Sequence, residues 1–246
     1  MSTKVLVLRI GITGHSRLHV SRFRELVAKV IGEAPALFHR DPDGKPSKGI
    51  PKVRFIGGKT WVGVAFDEEL SDLLYQHMGL ILQSVSSETG SVARAEVETH
   101  TIDCTVDNIP RSYWIRELVL KRRGPEALDM EINYLIEKRV LKGLVTFDRH
   151  HGLMEMPDDW FDTKLHLSFE LVDVIRPRGL RIQTTTGTTN EYATLVDVGF
   201  VCCANLEGIW SVGNLTSRGY GRILKNLQGE AFMHMRKTQS NRAYIG

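Results

Sequence analysis

A run near the C-terminus, Gly213-Asn214-Leu215-Thr216-Ser217-Arg218-Gly219-Tyr220-Gly221-Arg222, concentrates groups that bind anions. Its three glycines and three small polar residues would let backbone N–H groups turn toward one point, and Arg218 and Arg222 bring permanent charge to it. The run lacks the Gly-Lys-Ser/Thr of a nucleotide-phosphate loop. It is not a dinucleotide fingerprint either, because no apolar strand of a βαβ unit leads into it. Alone, it reads equally as a tight glycine turn before an edge strand. At the other end of the chain stands His39, followed by Arg40. An imidazole titrates near neutral pH, which suits His39 to general acid or base work. Arg22, Arg24 and Arg40 are of the type that holds a phosphate and the charge developing on it, since a guanidinium is always ionised and grips phosphate bidentately. Each also has a plain alternative as solvated charge, and His39 as an exposed loop residue. Arginine outnumbers lysine 20 to 12, which favours phosphate recognition over simple solubility.

The charge distribution sharpens this. The 246 residues carry a net charge of only +3, but residues 1–64 carry +8, residues 65–209 carry −10 and residues 210–246 carry +5. Both candidate regions therefore lie in basic ends flanking an acidic middle. A 42% hydrophobic, 25% charged chain excludes disordered and fibrous classes. No apolar run approaches a membrane span and no signal peptide opens the chain, so the expectation is a cytoplasmic protein with no membrane partner. Cys104, Cys202 and Cys203 lie in strand-like apolar text, as buried thiols would, and no CxxC zinc pair exists. His15 with His19, and His150 with His151 and Glu155, have no Asp-rich or Cys-rich partner set. The reading therefore includes no metal and no cofactor.

The elements that must position these residues follow from periodicity. Lys4 to Gly11 predicts a strand. His19 to Glu33 predicts an amphipathic helix, with Val20, Phe23, Leu26, Val27, Val30 and Ile31 on one face and Arg22, Arg24 and Lys29 elsewhere. A cationic, turn-rich connection, His39 to Lys48, precedes strands at Val53 to Ile56 and Trp61 to Phe66, joined at Gly57-Gly58. Asp67 is expected to cap a helix running to about Gln83, and a strand is expected over Val92 to Val106. This β-α-β-β-α-β order is the split βαβ, or ferredoxin-like, arrangement. A distorted repeat is predicted after it. Its parts are a strand at Trp114 to Leu120, a helix over Pro125 to Val145, strands at Leu165 to Ile175, Leu180 to Thr185 and Ala193 to Cys203, a polar loop at Thr186 to Asn190, a reduced helix at Gly208 to Leu215 and a last strand at Gly221 to Leu224. The expected class is α+β, two ferredoxin-like (RRM-like) domains in tandem, 1–108 and 109–246. The second holds a helical region at 125–153, the glycine-rich loop at 213–221 and a basic tail.

Two ferredoxin-like halves with a basic loop of the form G-x-x-x-x-x-G-Y-G resemble the RAMP proteins of CRISPR systems, and most of all the endoribonucleases that cut the repeats of precursor CRISPR RNA, including their type IV branch. The resemblance covers the whole chain in element order, with Gly213 to Gly221 as its motif. It implies metal-independent cleavage by attack of a ribose 2′-OH on the adjacent phosphate, leaving a 2′,3′-cyclic phosphate. Catalytic residues are expected around the first helix and the loop after it: Arg22, Arg24, His39 and Arg40, with Arg242 folding back from the tail. The His-Tyr-Lys set common in that family is not readable here, and arginines stand in its place. RNA contacts are expected from Lys45, Lys48, Lys52, Arg54, Lys59, Gly213, Arg218, Gly219, Tyr220, Gly221, Arg222 and Lys225. Tyr220, Trp61 and Tyr244 could stack on bases, Trp61 being equally a core residue. Lys138, Arg139 and Lys142 lie on the Pro125 to Val145 helix and Arg149-His150-His151 follow it, an element that either projects toward RNA or is simply a solvated amphipathic helix. The implied partners are CRISPR repeat RNA, as precursor and mature crRNA, and further subunits of an effector complex. Two alternatives remain: a non-catalytic RNA-holding RAMP subunit, and a two-histidine RNA phosphodiesterase or ligase carrying His19-Val20-Ser21 and His166-Leu167-Ser168.

Overall fold

In the computed structural model the first strand, β1 (Thr3–Ile12), carries two apolar stripes. Leu8 and Ile10 face one side of the sheet while Val5 and Val7 face the other, as the two-residue period of a strand requires. The structure describes residues 2–13, 18–32, 34–45, 47–58, 60–90, 92–121, 129–154, 168–184 and 187–225. Helix α1 (Val20–Ile31) follows β1, then a short 3-10 turn (Pro35–Phe38), strands β2 (Val53–Gly57) and β3 (Trp61–Asp67), helix α2 (Ser71–Thr89) and strand β4 (Val92–Lys121). Helix α3 (Asp129–His151), strands β5 (Ser168–Thr184) and β6 (Gly187–Glu207), a 3-10 turn (Thr216–Arg218) and strand β7 (Arg222–Lys225) complete the order. Among the described residues the result is an α+β fold: three α-helices packed on one antiparallel sheet ordered β2-β3-β1-β4-β6-β5, with β7 on β4.

Through β4 the order is that of the split βαβ unit. One core lies between this sheet and helices α1 and α2, built from Leu8, Ile10, Val62, Val64 and Phe66 against Phe23, Val27, Leu74 and Ile81. With only 12 residues, α1 would be marginal as an isolated helix, so burial of Phe23 and Val27 decides that it forms. A second core takes the opposite face, Val5, Val7, Ile56 and Ala65. It continues into Tyr113, Ile115, Val198 and Phe200, under the α3 stripe of Ile136, Val140, Leu144 and Phe147. The sheet is therefore buried on both sides, which explains the imperfect alternation of its strands.

Several elements differ from the sequence expectation. The strands expected at Val92 to Val106 and Trp114 to Leu120 are one strand, β4, whose register against β6 shifts between Val106 and Arg111 and again between Ile115 and Leu118. The expected domain boundary thus falls at a bulge inside β4. Strands β5 and β6 form one long hairpin, so Gly187 to Asn190 pair with β5 instead of looping. No helix forms over Gly208 to Leu215; the turn over Thr216–Arg218 comes later. Asp67 does not cap a helix with its side chain, because its carboxylate is drawn to Arg54 and His150. All three cysteines are buried free thiols, and burial first of all pushes Cys104 up to about 12 and Cys202 to about 11. No helix among the described residues is long and apolar enough to cross a membrane.

Candidate functional site

Residues Arg22 and Arg24 are two apart on α1, about 200° around a helix of 3.6 residues per turn, so they cannot serve one site. Arg22 turns toward α2, where Glu88 accepts from its Nε at 3.0 Å and its Nη2 at 3.4 Å, and Glu25 adds a third contact at 3.5 Å. Arg24 turns the other way. Its Nη2 donates to the Phe38 carbonyl at 3.4 Å, and its guanidinium lies 5.2 Å from the Phe38 ring centre and 5.9 Å from that of Phe55. Burial is the main force pushing Arg24 down to about 10, and the charges of Arg218 and Arg40 add to it. Its Nε is buried without an acceptor among the described residues. Arg218 is pushed down by burial as well; Tyr220 pulls the other way, Arg40 adds to the lowering and Glu25 opposes it least. Three guanidiniums, from α1, the segment just after the Pro35–Phe38 turn and the glycine-rich loop, therefore lie close enough to oppose one another's charge. An anion placed between them would relieve that repulsion.

His39 stands beside it. The turn over Pro35–Phe38 ends on His39 in a left-handed backbone conformation (φ 56°, ψ 53°), and its carbonyl accepts from Ser47 N–H at 3.0 Å. The ring is half-buried, and burial chiefly holds its pKa below the usual histidine range, with Arg24 adding to this and Asp41 opposing it. A neutral imidazole near a phosphate site is equipped to accept a proton.

The glycine-rich loop is clamped to α1. Ser21 Oγ and Tyr220 OH are 3.2 Å apart, and a Cβ at Gly219 would sit 2.5 Å from Val20 Cγ1 and 2.8 Å from the Phe55 carbonyl oxygen. Gly221 adopts φ +68°, and a Cβ there would lie 1.9 Å from the Val212 carbonyl oxygen, so no other residue fits. Part of the loop backbone is turned inward. The N–H groups of Arg218, Gly219 and Gly221 donate to Leu215, Thr216 and Arg116 carbonyls at 2.8, 3.0 and 3.0 Å. The glycines allow the turn, and the charge comes from side chains. Asn214 Nδ2 is a further buried donor with no acceptor among the described residues. Arg222 donates from Nη1 to the Gly57 carbonyl at 3.4 Å and lies 5.3 Å over Trp61, whose ring also receives Arg9 at 4.9 Å.

The lysines expected to meet RNA are dispersed. Lys45 is exposed and pairs with Asp43 at 2.7 Å, Lys52 pairs with Glu69, and Lys48 is exposed. Lys225 lies 3.8 Å from Glu207 beside a cavity of about 420 Å³ between β4, β6 and β7. Arg54 corrects the expectation outright: it is fully buried, donating to Asp67 Oδ1 at 3.0 Å and to the Pro51 carbonyl at 3.3 Å, so it offers nothing to solvent. Lys59, Arg242, Tyr244 and the basic tail lie outside the described residues.

Asp67, His150 and His151 bring their ligand atoms within 4.8 Å of one another and are the group that could hold a metal ion among the described residues. Both carboxylate oxygens are already engaged, Oδ1 by Arg54 at 3.0 Å and Oδ2 by His150 Nε2 at 3.1 Å. Burial opposes the charge on Asp67, yet His150 and Arg54 hold its carboxyl below the usual range. The cluster reads as a clamp between the end of α3 and β3, with Asp67 and His151 buried and His150 exposed. Glu155, paired with these histidines in the sequence reading, lies outside the described residues, as do His15 and His166. His19 opens α1, where its Nδ1 accepts from Ser21 N–H at 3.2 Å, instead of standing on a strand. On α3, Lys138 and Lys142 are exposed opposite the buried stripe. Sequence reasoning missed Ser21 and Arg116. The signal for Arg116 was the Arg116-Glu117 pair breaking an apolar strand.

Comparison with known proteins places the fold and the family. A family model for the type IV CRISPR-associated endonuclease Csf5 matches residues 3–228. The solved structure of Csf5, CRISPR-Cas type IV Cas6 crRNA endonuclease, is similar at 28% identity over 91% of this chain and 99% of that one, with a TM-score of 0.75. Two crystal structures of Cas6b, at 11% and 9% identity with TM-scores of 0.56 and 0.52, share the fold. No curated protein matches the chain.

Proposed function

The chain belongs to the Csf5 family of type IV CRISPR-associated endonucleases and is a crRNA-processing endoribonuclease of the Cas6 type, and from that premise we propose that Arg24, Arg40 and Arg218 hold the scissile phosphate of CRISPR repeat RNA. The observation that carries this is the convergence of the three guanidiniums beside a half-buried histidine. In this reading His39 accepts the proton of the ribose 2′-OH, whose oxygen attacks the adjacent phosphorus. The arginines stabilise the charge gathering on the non-bridging oxygens. The bond to the 5′ oxygen breaks, that oxygen is protonated, and a 2′,3′-cyclic phosphate and a 5′-OH remain. Arg242 is assigned to the same phosphate as a further guanidinium. No step uses a metal ion.

The wider reading extends the same proposal. The chain is two ferredoxin-like halves, 1–108 and 109–246, with the split βαβ order of the first supporting it. The glycine-rich loop, Lys45, Lys48, Lys52, Arg222 and Lys225 flank the bound RNA, Lys59 is assigned with them, and the enzyme works in the cytoplasm, passing its product crRNA to other subunits of an effector complex.

The test is labelled repeat RNA incubated in EDTA, beside a copy carrying 2′-deoxyribose at the cut position. Cleavage at one position, lost in the deoxy copy, is the expected result. Tight binding of both RNAs without cleavage would instead make the chain an RNA-holding subunit. Activity confined to cyclic or 2′,5′ phosphates would assign it to the two-histidine class.

A further inference from the structure

On the far side of the glycine-rich loop from Arg24, a cavity of about 70 Å³ opens between the N-terminus of α1, the β2–β3 turn and β7. Gly57, Gly58 and Gly219 form small walls, and Arg116, Arg222, His19 and the carboxylate of Glu117 supply the polar ones. The volume is about twice the share of one water in the liquid and far below the ~300 Å³ of the smallest pockets for whole ligands. It admits one phosphate-sized group and no nucleoside.

The fold builds charge into this place deliberately. Arg116 and Arg222 are directly paired across β4 and β7, and like charges directly opposite one another destabilise a sheet. Burial, then Arg116, then Arg9 oppose the charge of Arg222. A bulge delivers Arg116. The β4 register shifts between Ile115 and Leu118, Glu117 takes φ 52°, and Asp197 Oδ1 accepts the Glu117 N–H at 2.8 Å to hold it there. Bulges re-aim side chains in this way beside functional sites. Two carboxylates lie near: Glu117, on the wall itself, is 3.7 Å from His19 Nε2, and Glu98 is 3.7 Å from Arg9, so the two arginines Arg116 and Arg222 outnumber the one acid that lines the cavity. The α1 N-terminus adds its partial positive charge.

We infer that this cavity is a second phosphate subsite, in which Arg116 and Arg222 grip a backbone phosphate of the bound RNA away from the bond that is cut. The inference rests on the RNA reading above. Between the two sites lies the glycine-rich loop, with Arg218 in the first cluster and Gly219 and Arg222 on the second, so the loop separates two phosphates of one strand. This gives the bulge at Arg116-Glu117 a function.

The test is the salt dependence of binding to repeat RNA made uncleavable by 2′-deoxyribose at the cut position. It compares the full chain with Arg116→Gln, Arg116→Lys and Arg111→Gln. Each single-strand phosphate contact contributes roughly 0.7 to the slope of log affinity against log salt. Arg116→Gln is expected to lower the slope by about that amount and weaken binding several-fold at low salt, while Arg116→Lys keeps the slope. Arg111 makes the same charge change elsewhere, its guanidinium being held by Asp107 at 2.6 Å, and is expected to keep the slope as well. An unchanged slope in Arg116→Gln, or an equal loss in Arg111→Gln, overturns the subsite while leaving the RNA reading intact. Failure of the unmodified chain to bind repeat RNA overturns both.

Discussion

Ser21 and Tyr220 stand 199 positions apart in the chain, and their hydroxyls are 3.2 Å apart in the fold. The contact joins the first turn of α1 to the glycine-rich loop. Arg24 lies three residues beyond Ser21, on the same flank of the helix, so this one bond sets how the arginine of the helix meets the arginine of the loop. The basic ends of the chain come together here.

If that contact positions the loop, Tyr220→Phe and Ser21→Ala should each cost about 1 kcal/mol of stability, and the double variant little more than either. Denaturant unfolding measures this directly. Each variant should also lower single-turnover cleavage, and equal, non-additive losses are the signature of a shared contact.

Arg24 and Arg22 should behave differently despite being two residues apart. Arg24→Ala should reduce cleavage at saturating RNA by roughly 100-fold or more, as removing a donor to a developing oxyanion does. Arg22→Ala should fall within a few-fold of the unmodified enzyme, because Arg22 pairs with Glu88 on the opposite flank. Single-turnover rates decide between them, and equal losses would place the reaction elsewhere on α1.

Because burial holds His39 below the usual histidine range, the ring is already neutral at pH 7 and ready to accept a proton. Cleavage should rise as pH increases through a midpoint below about 6.5 and then level off. His39→Ala should remove that rising limb along with most of the rate. A limb that survives in His39→Ala would assign the proton to another group.

Stability should also depend on acid through His151, which is buried, packs 4.5 Å from the Phe147 ring and is pushed down to about 4 by burial against the pull of Asp67. In the unfolded chain the same ring titrates near 6.5. Between about 6.5 and about 4 the unfolded state takes up a proton that the folded state refuses, so stability falls as pH falls through that window, by up to roughly 3 kcal/mol. Below about 4 this group adds no further loss. His151→Phe should flatten the melting temperature over that pH range, and a curve as steep as the original would show that other groups carry it.

Much of this protein was legible from its residues. The periodicities of KVLVLRIG and of the stretch from His19 to Glu33 found β1 and α1 to within a few residues, since apolar spacing is a local property. The glycine-rich loop and the charge division likewise pointed to an anionic substrate from composition alone. Periodicity could also say that Arg22 and Arg24 occupy opposite flanks, but not which flank meets the loop. That depended on Tyr220 and Glu88, which only folding brings to α1. Arg54 shows the same limit from the other side. In sequence it is one more cation of a basic block, and its burial was decided by Asp67, 13 residues on, and by Phe147 on α3, whose ring lies 5.4 Å from its guanidinium. The bulge that turns Arg116 toward Arg222 arises from strand register, which no local pattern encodes. Residue types pointed to an anionic partner; long-range pairing decided which arginines are buried against a carboxylate, as Arg54 is, and which lie beside other guanidiniums, as Arg24 does, because those fates differ only in what the fold places next to each side chain.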